Sequence, residues 1–341
     1  MSTLKVDGIR SNSATSDAIT LADNGTCTAN ITNNLSNRNL FINGDLNIWQ
    51  RGTSTTSSGA YLADRFWAAA GTYARDNSAP DGFKYSAKLT YVSPNSMSIG
   101  QPIELPITGH SGSMIAGNKI TVSFYGKCDS GTESAYCQIK FRDSKFSGTN
   151  EVNFTIADNT FTLTTTWQRF TKTFTIPTVA GTNTMAAFEI AGIDATAYFT
   201  GFQAELGSVA TDFEYPKSFA DELRLCQRYY EKSYRYEDTV GSSSNNDGNI
   251  DICLGSNNSG TVVYHLRFFV EKRANPTVTA YRPDTGASGQ WLYGRSGLNS
   301  DNASVTVDSF STKSCRAYFG IGSHAYKVAF LQGLYTAEAE F

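Results

Sequence analysis

The chain has 341 residues, with 28 Lys and Arg against 31 Asp and Glu and a formal net charge of −3. That balance leaves no basic stripe for a sequence-independent grip on nucleic acid, so nucleic-acid partners are disfavoured. Aromatic residues make up 13% of the chain. With Thr they fall in short runs punctuated by Gly and Asn, which predicts an all-β protein of about two domains.

The first residues, Met1 to Asp7, lack the apolar stretch of a secretory signal. No apolar run elsewhere reaches membrane-spanning length. The expectation is a soluble product of a cytosol with no membrane insertion, in which the sequons at Asn24 and Asn30 stay unmodified. Residues 1–38 are polar, with Leu4, Val6, Ile9, Ile19 and Leu21 spaced among Ser, Asn, Asp and Thr. Such a segment cannot form a core alone. It is either a disordered lead-in or a segment ordered by packing against copies of itself or an anchoring protein.

From Asn39 the character changes. Leu40-Phe41-Ile42 runs into an Asn43-Gly44-Asp45 turn, and Ile48-Trp49-Gln50-Arg51-Gly52 leads to a flexible loop over 53–59. The pattern predicts strands over 61–67, 84–91, 97–104, 119–128, 136–142, 153–156, 169–176, 185–190 and 198–206. Thr171, Thr173 and Thr175 alternate with Phe170, Phe174 and Ile176, giving one face to solvent and one to a core. Strands about ten residues apart with turn residues between them predict a β-sandwich or jelly roll.

Next, Ser218-Phe219-Ala220-Asp221 has the form of a capping box. Phe219, Leu223, Cys226 and Tyr230 follow at helical spacing, so a short amphipathic helix joins the first domain to a second. Strands are predicted beyond it over 229–236, 250–254, 261–270, 277–281, 304–307, 315–321 and 327–334. The organisation is therefore an N-terminal segment (1–38), a jelly-roll-like sandwich (39–216), and a helix plus a second β-sandwich (217–341).

Candidate sites are few. Trp49, Phe66 and Trp67 are expected in the core, and Arg51, Asp64 and Arg65 in pairs with one another or with backbone. Trp291 and Tyr293 lie in the Gly- and Ser-rich stretch 286–295, read as a loop. There an aromatic face can stack on a sugar ring while Gln290 and Arg295 bond its hydroxyls, with Tyr281 a weaker neighbour. The competing expectation is that both rings pack in a core or subunit interface. Six cysteines without CxxC pairing read as buried thiols, with a Cys128–Cys137 bridge across a hairpin left open. His110, His265 and His324 are isolated and no hydrolase, zinc-protease or phosphate-loop motif is present, so no catalytic residue, metal or cofactor is expected. Residues 245–249 lack the carboxylates of a calcium loop.

Two stretches carry a resemblance. Phe41-Ile42-Asn43-Gly44-Asp45, Trp49-Gln50-Arg51-Gly52-Thr53-Ser54 and Ala63-Asp64-Arg65-Phe66-Trp67 form the first. Gln203 to Glu214 and Glu222 to Tyr230 form the second. Together they resemble phage tail-fibre and related virion adhesins that carry a carbohydrate-binding-module-like jelly roll. Leu4-Lys5-Val6-Asp7-Gly8-Ile9-Arg10 is similar to the start of marine and cyanobacterial phage fibres, and residues 272–278 to a run in the domain that follows the junction.

The resemblance implies a homotrimeric, non-enzymatic adhesin made in the host cytoplasm. It would be anchored to other virion proteins through residues 1–38 and would contact host surface glycan or protein. A structural fibre or head-decoration subunit without its own receptor, or a polysaccharide-degrading tailspike, are the alternatives. Residues 68–200 and 281–341 match no family pattern, which leaves specificity open.

Overall fold

The computed structural model describes residues 6–10, 12–13, 15, 19–21, 27–29, 38–105, 116–142, 159–178, 184–243, 249–252, 260–295, 298–321 and 328–341. The first of these form a three-stranded antiparallel sheet of β1 (Gly8–Ile9), β2 (Ile19–Leu21) and β3 (Cys27–Ala29). Ile9 and Leu21 are exposed on it, as is Val6 just before β1, and Ile19 is half-buried. Leu4 lies outside the described residues.

Twelve strands then build two facing six-stranded antiparallel sheets. They are β4 (Ser54–Thr55), β5 (Ala60–Tyr61), β6 (Trp67–Ala69), β7 (Thr72–Asp76), β8 (Ser86–Thr90), β9 (Met97–Glu104), β10 (Lys119–Cys128), β11 (Glu133–Arg142), β12 (Thr160–Leu163), β13 (Gln168–Thr175), β14 (Met185–Ile193) and β15 (Ala197–Leu206). One sheet runs β13-β10-β15-β8-β7-β4 and the other β12-β11-β14-β9-β6-β5. Successive strands pass from sheet to sheet except at β5–β6, β7–β8 and β11–β12, which pair within one sheet, and the order is that of a jelly roll. Period-2 alternation turns Ile120, Val122 and Phe124 inward from β10, and Phe188 and Ile190 inward from β14. Phe202 sits among Phe41, Phe66, Phe124 and Phe188 with ring centroids 4.6–6.5 Å apart. Burying each such ring contributes about 1.5–3 kcal/mol.

Helix α1 (Phe219–Gln227) follows, with Ser218 as its N-cap accepting from the Asp221 N–H. The second sandwich comprises β16 (Tyr230–Lys232), β17 (Ile250–Ile252), β18 (Gly260–Arg267), β19 (Thr277–Tyr281), β20 (Gln290–Arg295), β21 (Leu298–Ser304), β22 (Thr306–Asp308), β23 (Ser314–Ile321) and β24 (Val328–Glu338). Strand β24 organises it: its first half pairs with β17 and β20, its second with β16 and β19. A three-stranded sheet, β18-β23-β22, supplies Leu266, Cys315, Ala317 and Phe319 to the core shared with Trp291 and Leu331. The all-β, two-sandwich class expected from the pattern is the architecture observed.

Several local expectations give way. Residues 61–67 are not one strand. Arg65 takes φ 72°, and the Leu62 N–H donates to the Phe66 carbonyl, so a tight turn separates β5 from β6. Cys128 and Cys137 do not flank a hairpin: β10 and β11 belong to opposite sheets, and both thiols are free and buried. Burial pushes the Cys137 thiol up to about 12. The strand expected over 229–236 shortens to β16, while the stretch read as a loop around Trp291 is strand β20. Residues 153–156 and 244–248 lie outside the described residues.

Candidate functional site

The five residues expected to bind a ligand fall in the second sandwich. Trp291 is fully buried; its indole N–H donates to the Leu334 carbonyl at 3.2 Å, and a Cβ at Gly333 would land on its ring. Tyr293 is buried in the same core, while Gln290 and Tyr281 are half-buried. Tyr281 packs edge-on against Tyr234. Gln290, Trp291, Tyr293 and Arg295 share one strand, so sequence reasoning was right that they are close together. The Arg295 side chain lies outside the described residues. No sugar can reach the face of Trp291, because strand β24 covers it; the core alternative is what the fold realises.

The signature stretches meet at the joint between the two sandwiches. Asn43, at φ 61° and fully buried, donates from Nδ2 to the carbonyls of Ile48 and Asp64 and accepts from the Ile48 N–H. Gly44 is required because a Cβ there would strike the Phe202 carbonyl, whose own N–H donates to the Gly44 carbonyl. The Gln50 amide bridges Asp64 and the Tyr230 carbonyl.

Arg51 lies 3.8 Å over the Tyr230 ring and reaches Asp64 at 3.5 Å, Glu338 at 3.1 Å and Glu340 at 3.4 Å. Arg65 stacks 3.4 Å over Tyr229 and pairs with Glu340. Across the same seam Arg228 and Tyr229 bond Glu104 at 2.9 Å each. Burial works to raise the Glu104 carboxyl, but these hydrogen bonds outweigh it and hold its pKa below the ordinary value. Trp49, Phe66 and Trp67 are buried as expected. Asp64 pairs with Arg51 and Gln50 within the first domain, as expected, while Arg51 and Arg65 find their further partners, Glu338 and Glu340, in the other domain.

Two features of the first sandwich remain as places for a ligand. On the outer face of its first sheet, Lys127 sits 5.5 Å over Trp167 and 4.7 Å over Tyr198, and Lys88 lies 5.3 Å over Tyr198. These cations cover the rings they touch, and Tyr198 is left only 6% exposed.

The second feature is open. A cleft of about 530 Å³ lies between the segment that enters the sandwich (Asn39, Phe41, Ile42), the segment that leaves it (Phe213 to Lys217) and helix α1 (Asp221, Glu222, Leu225). Tyr215 at its mouth is 51% exposed. Its ring is held at 5.0 Å by Phe213 and at 5.6 Å by Phe83, which in turn packs on Tyr125. Gly201, at φ 64° in the bulge of β15, makes room for this cluster: a Cβ there would come within 2.7 Å of Phe83 and 2.8 Å of Tyr125. The Glu214 carboxylate is spent on the backbone N–H groups of Arg38 and Asn39. The Asn39 amide is likewise spent, on the Phe202 carbonyl and the N–H groups of Phe41 and Ala204, so Lys217 and Asp221 are the polar groups left at the rim.

Sequence reasoning missed this cleft. Phe213-Glu214-Tyr215-Pro216 was visible, but as the end of a structural signature. The signal that would have found it is the pair of aromatics two apart, just before a proline and a helix cap.

Among the described residues no three His, Cys, Asp or Glu side chains converge as a metal cluster, and no helix is long and apolar enough to cross a membrane. No protein-family profile matches the chain, and no curated protein does. Among solved structures it is similar to the CBM22-1 xylan-binding domain of Paenibacillus barcinonensis Xyn10C, with 11% identity over 50% of this chain and 96% of that one and a TM-score of 0.33. It is also similar to TmCBM61 in complex with β-1,4-galactotriose, with 14% identity over 50% and 99% and a TM-score of 0.30. A third likeness is the enzymatically active domain of tailspike protein 4 of bacteriophage CBA120, with 14% identity over 50% of this chain but 22% of that one and a TM-score of 0.31. Overlaps this loose carry no argument about ligand or activity. The jelly-roll assignment rests on the strand order itself.

Proposed function

We propose that the chain is a non-enzymatic virion adhesin, a tail fibre or comparable appendage, that holds host-surface glycan in the cleft walled by Tyr215. The observation that carries the glycan reading is the half-exposed Tyr215 ring, braced by Phe213 and Phe83 and lining a cleft of about 530 Å³ with Lys217 and Asp221 at its rim. An aromatic face with a few hydroxyl-bonding groups is the chemistry a pyranose ring needs. The virion role is supported by the resemblance of the two signature stretches. The exposed Ile9 and Leu21 on the small N-terminal sheet, with the exposed Val6 just before it, support an attachment foot. Trimeric assembly is part of the same proposal, and repeated copies make weak sites effective through avidity.

A glycan array followed by titration tests the cleft. Tyr215→Ala is expected to weaken binding about tenfold or more, the ~1.4 kcal/mol scale of an aromatic anchor. Unchanged affinity would remove the cleft from the proposal. Reducing-end release from host polysaccharide would replace the adhesin with a tailspike enzyme.

A second reading has its own observation. Phe219 and Leu225 are each 50% exposed on helix α1, apolar surface of the kind buried between subunits. A structural subunit without a receptor would cover them in its oligomer. Light scattering on the full chain and on residues 39–341, with host-cell binding of each, separates the two readings.

A further inference from the structure

Helix α1 gives the cleft a wall of mixed chemistry. Asp221 and Leu225 stand one helical turn apart, so they lie side by side on one face of the helix, and both line the cleft. Side chains on a helix lean toward its N-terminus, which carries the Leu225 isobutyl group toward the Asp221 carboxylate. Leu225 is 50% exposed, a large apolar side chain left in water within a concave site.

The carboxylate is held in place before any ligand arrives. Its Oδ2 accepts from the Ser218 hydroxyl at 2.7 Å, and that hydroxyl accepts in turn from the Asp221 N–H at 3.1 Å. Its Oδ1 has no hydrogen bond among the described residues. Only Pro216 and Lys217 separate the cap from Tyr215, so ring, acceptor and isobutyl group are joined through one short stretch of chain.

An acceptor beside an apolar side chain suits a ligand group that sets a donor beside a methyl. The acetamido group does so: in a planar trans amide the N–H and the methyl project on the same side and the carbonyl on the other. Sugar hydroxyls alone would satisfy Asp221 and leave Leu225 against water. A uronic acid would bring a second negative charge beside Asp221. An ammonium would suit the carboxylate and offer Leu225 no methyl, and a 6-deoxyhexose carries a methyl without a donor fixed in the same plane.

We infer that the cleft selects N-acetylated amino sugars, with Asp221 accepting the acetamido N–H, Leu225 covering the acetyl methyl and Tyr215 taking the sugar ring. The inference rests on the glycan reading of the cleft and adds to it the class of sugar recognised.

Calorimetric titration of the full chain with matched β-1,4-linked trisaccharides of N-acetylglucosamine, glucosamine and glucose tests it. The acetylated ligand is expected to bind about tenfold tighter than the glucose one, through one hydrogen bond to a charged group and one buried methyl. Leu225→Ala and Asp221→Ala should each reduce that ratio to about threefold or less, whereas Tyr215→Ala should lower both affinities and keep the ratio. A ratio unchanged in a folded Leu225→Ala chain overturns the inference. So does a glucosamine trisaccharide that binds as tightly as the acetylated one, since charge would then be the selector. On the glycan array the binders should share an N-acetylated amino sugar. Binders without one, or equal affinity for the acetylated and glucose ligands, overturn the inference and leave the glycan reading standing. An array with no binder removes both.

Discussion

Phe66 and Arg65 are neighbours in sequence, both essentially removed from solvent, yet they serve two regions held by different physics. Phe66 points into the first sandwich, where apolar rings close on one another and any ring of similar size would serve. Arg65 points into the joint, where its charge is buried against Glu340 and its guanidinium lies flat on Tyr229. The sandwich core is tolerant chemistry in a demanding volume. The joint is demanding chemistry: each buried charge needs its partner, since an ion pair gains little over apolar packing but costs heavily when halved. The difference teaches where specificity resides. The core makes each sandwich fold, and the joint fixes how the C-terminal residues Glu338 to Phe341 lie on the first sandwich, with Arg273 bonding the carbonyls of Ala339 and Glu340 from the far side.

The largest effect should come from the core. Phe202→Ala, at the centre of the ring cluster, is expected to cost about 3–5 kcal/mol by loss of burial and creation of a cavity. Denaturant unfolding followed by Trp fluorescence measures it, and a cost below 1 kcal/mol would mean the cluster is not the centre of the first sandwich. Glu340→Ala sharpens the comparison from the other side. It leaves Arg65 charged and buried, at a cost of about 3 kcal/mol. Because the loss is at the joint, calorimetry should show one transition separating into two. A single transition shifted as a whole would make Glu340 part of a common core instead.

Titration gives a smaller effect of opposite sign to the usual carboxylate. Burial, outweighing the Arg51 charge and the Gln50 hydrogen bonds, raises Asp64 to about 6. A folded pKa above the unfolded one means that protonation favours the folded state. The stability Asp64 contributes is complete below pH 4 and is lost as pH rises through 6, by about 3 kcal/mol. Asp64→Asn should therefore gain on the wild type between pH 4 and 7, as read from the melting temperatures of both across that range. A variant that loses ground as pH rises would show that the Arg51 pair decides the balance.

How much of this was legible in the sequence follows from the same division. The sandwich strands were readable because alternation is local: Thr171 and Phe174 declare their faces within four residues. The joint was not, because Arg65 meets a carboxylate 275 residues away and nothing local marks which Glu that will be. Trp291 was misplaced for a related reason. Gly286, Ser288 and Gly289 before it look like a loop, but they form the turn before β20, and the surface that buries the indole arrives only with β24. The cleft was half legible: Phe213 and Tyr215 stood in view, while Phe83, which braces them, comes from a distant turn.

Helix α1 stands between the two regions, and its cap offers the smallest and most local test. Ser218 accepts from the Asp221 N–H at 3.1 Å and donates back to its carboxylate at 2.7 Å. Neither bond touches the core or the ion pairs of the joint. Ser218→Ala should cost about 1 kcal/mol through an unsatisfied helix terminus, and Ser218→Thr, which keeps the hydroxyl, should recover most of it. If the cap matters only to the helix, hydrogen exchange will quicken at residues 219–223 and stay unchanged at β16. If exchange quickens at β16 as well, the helix is a mechanical part of the joint, and the boundary between the two regions lies one element further along the chain.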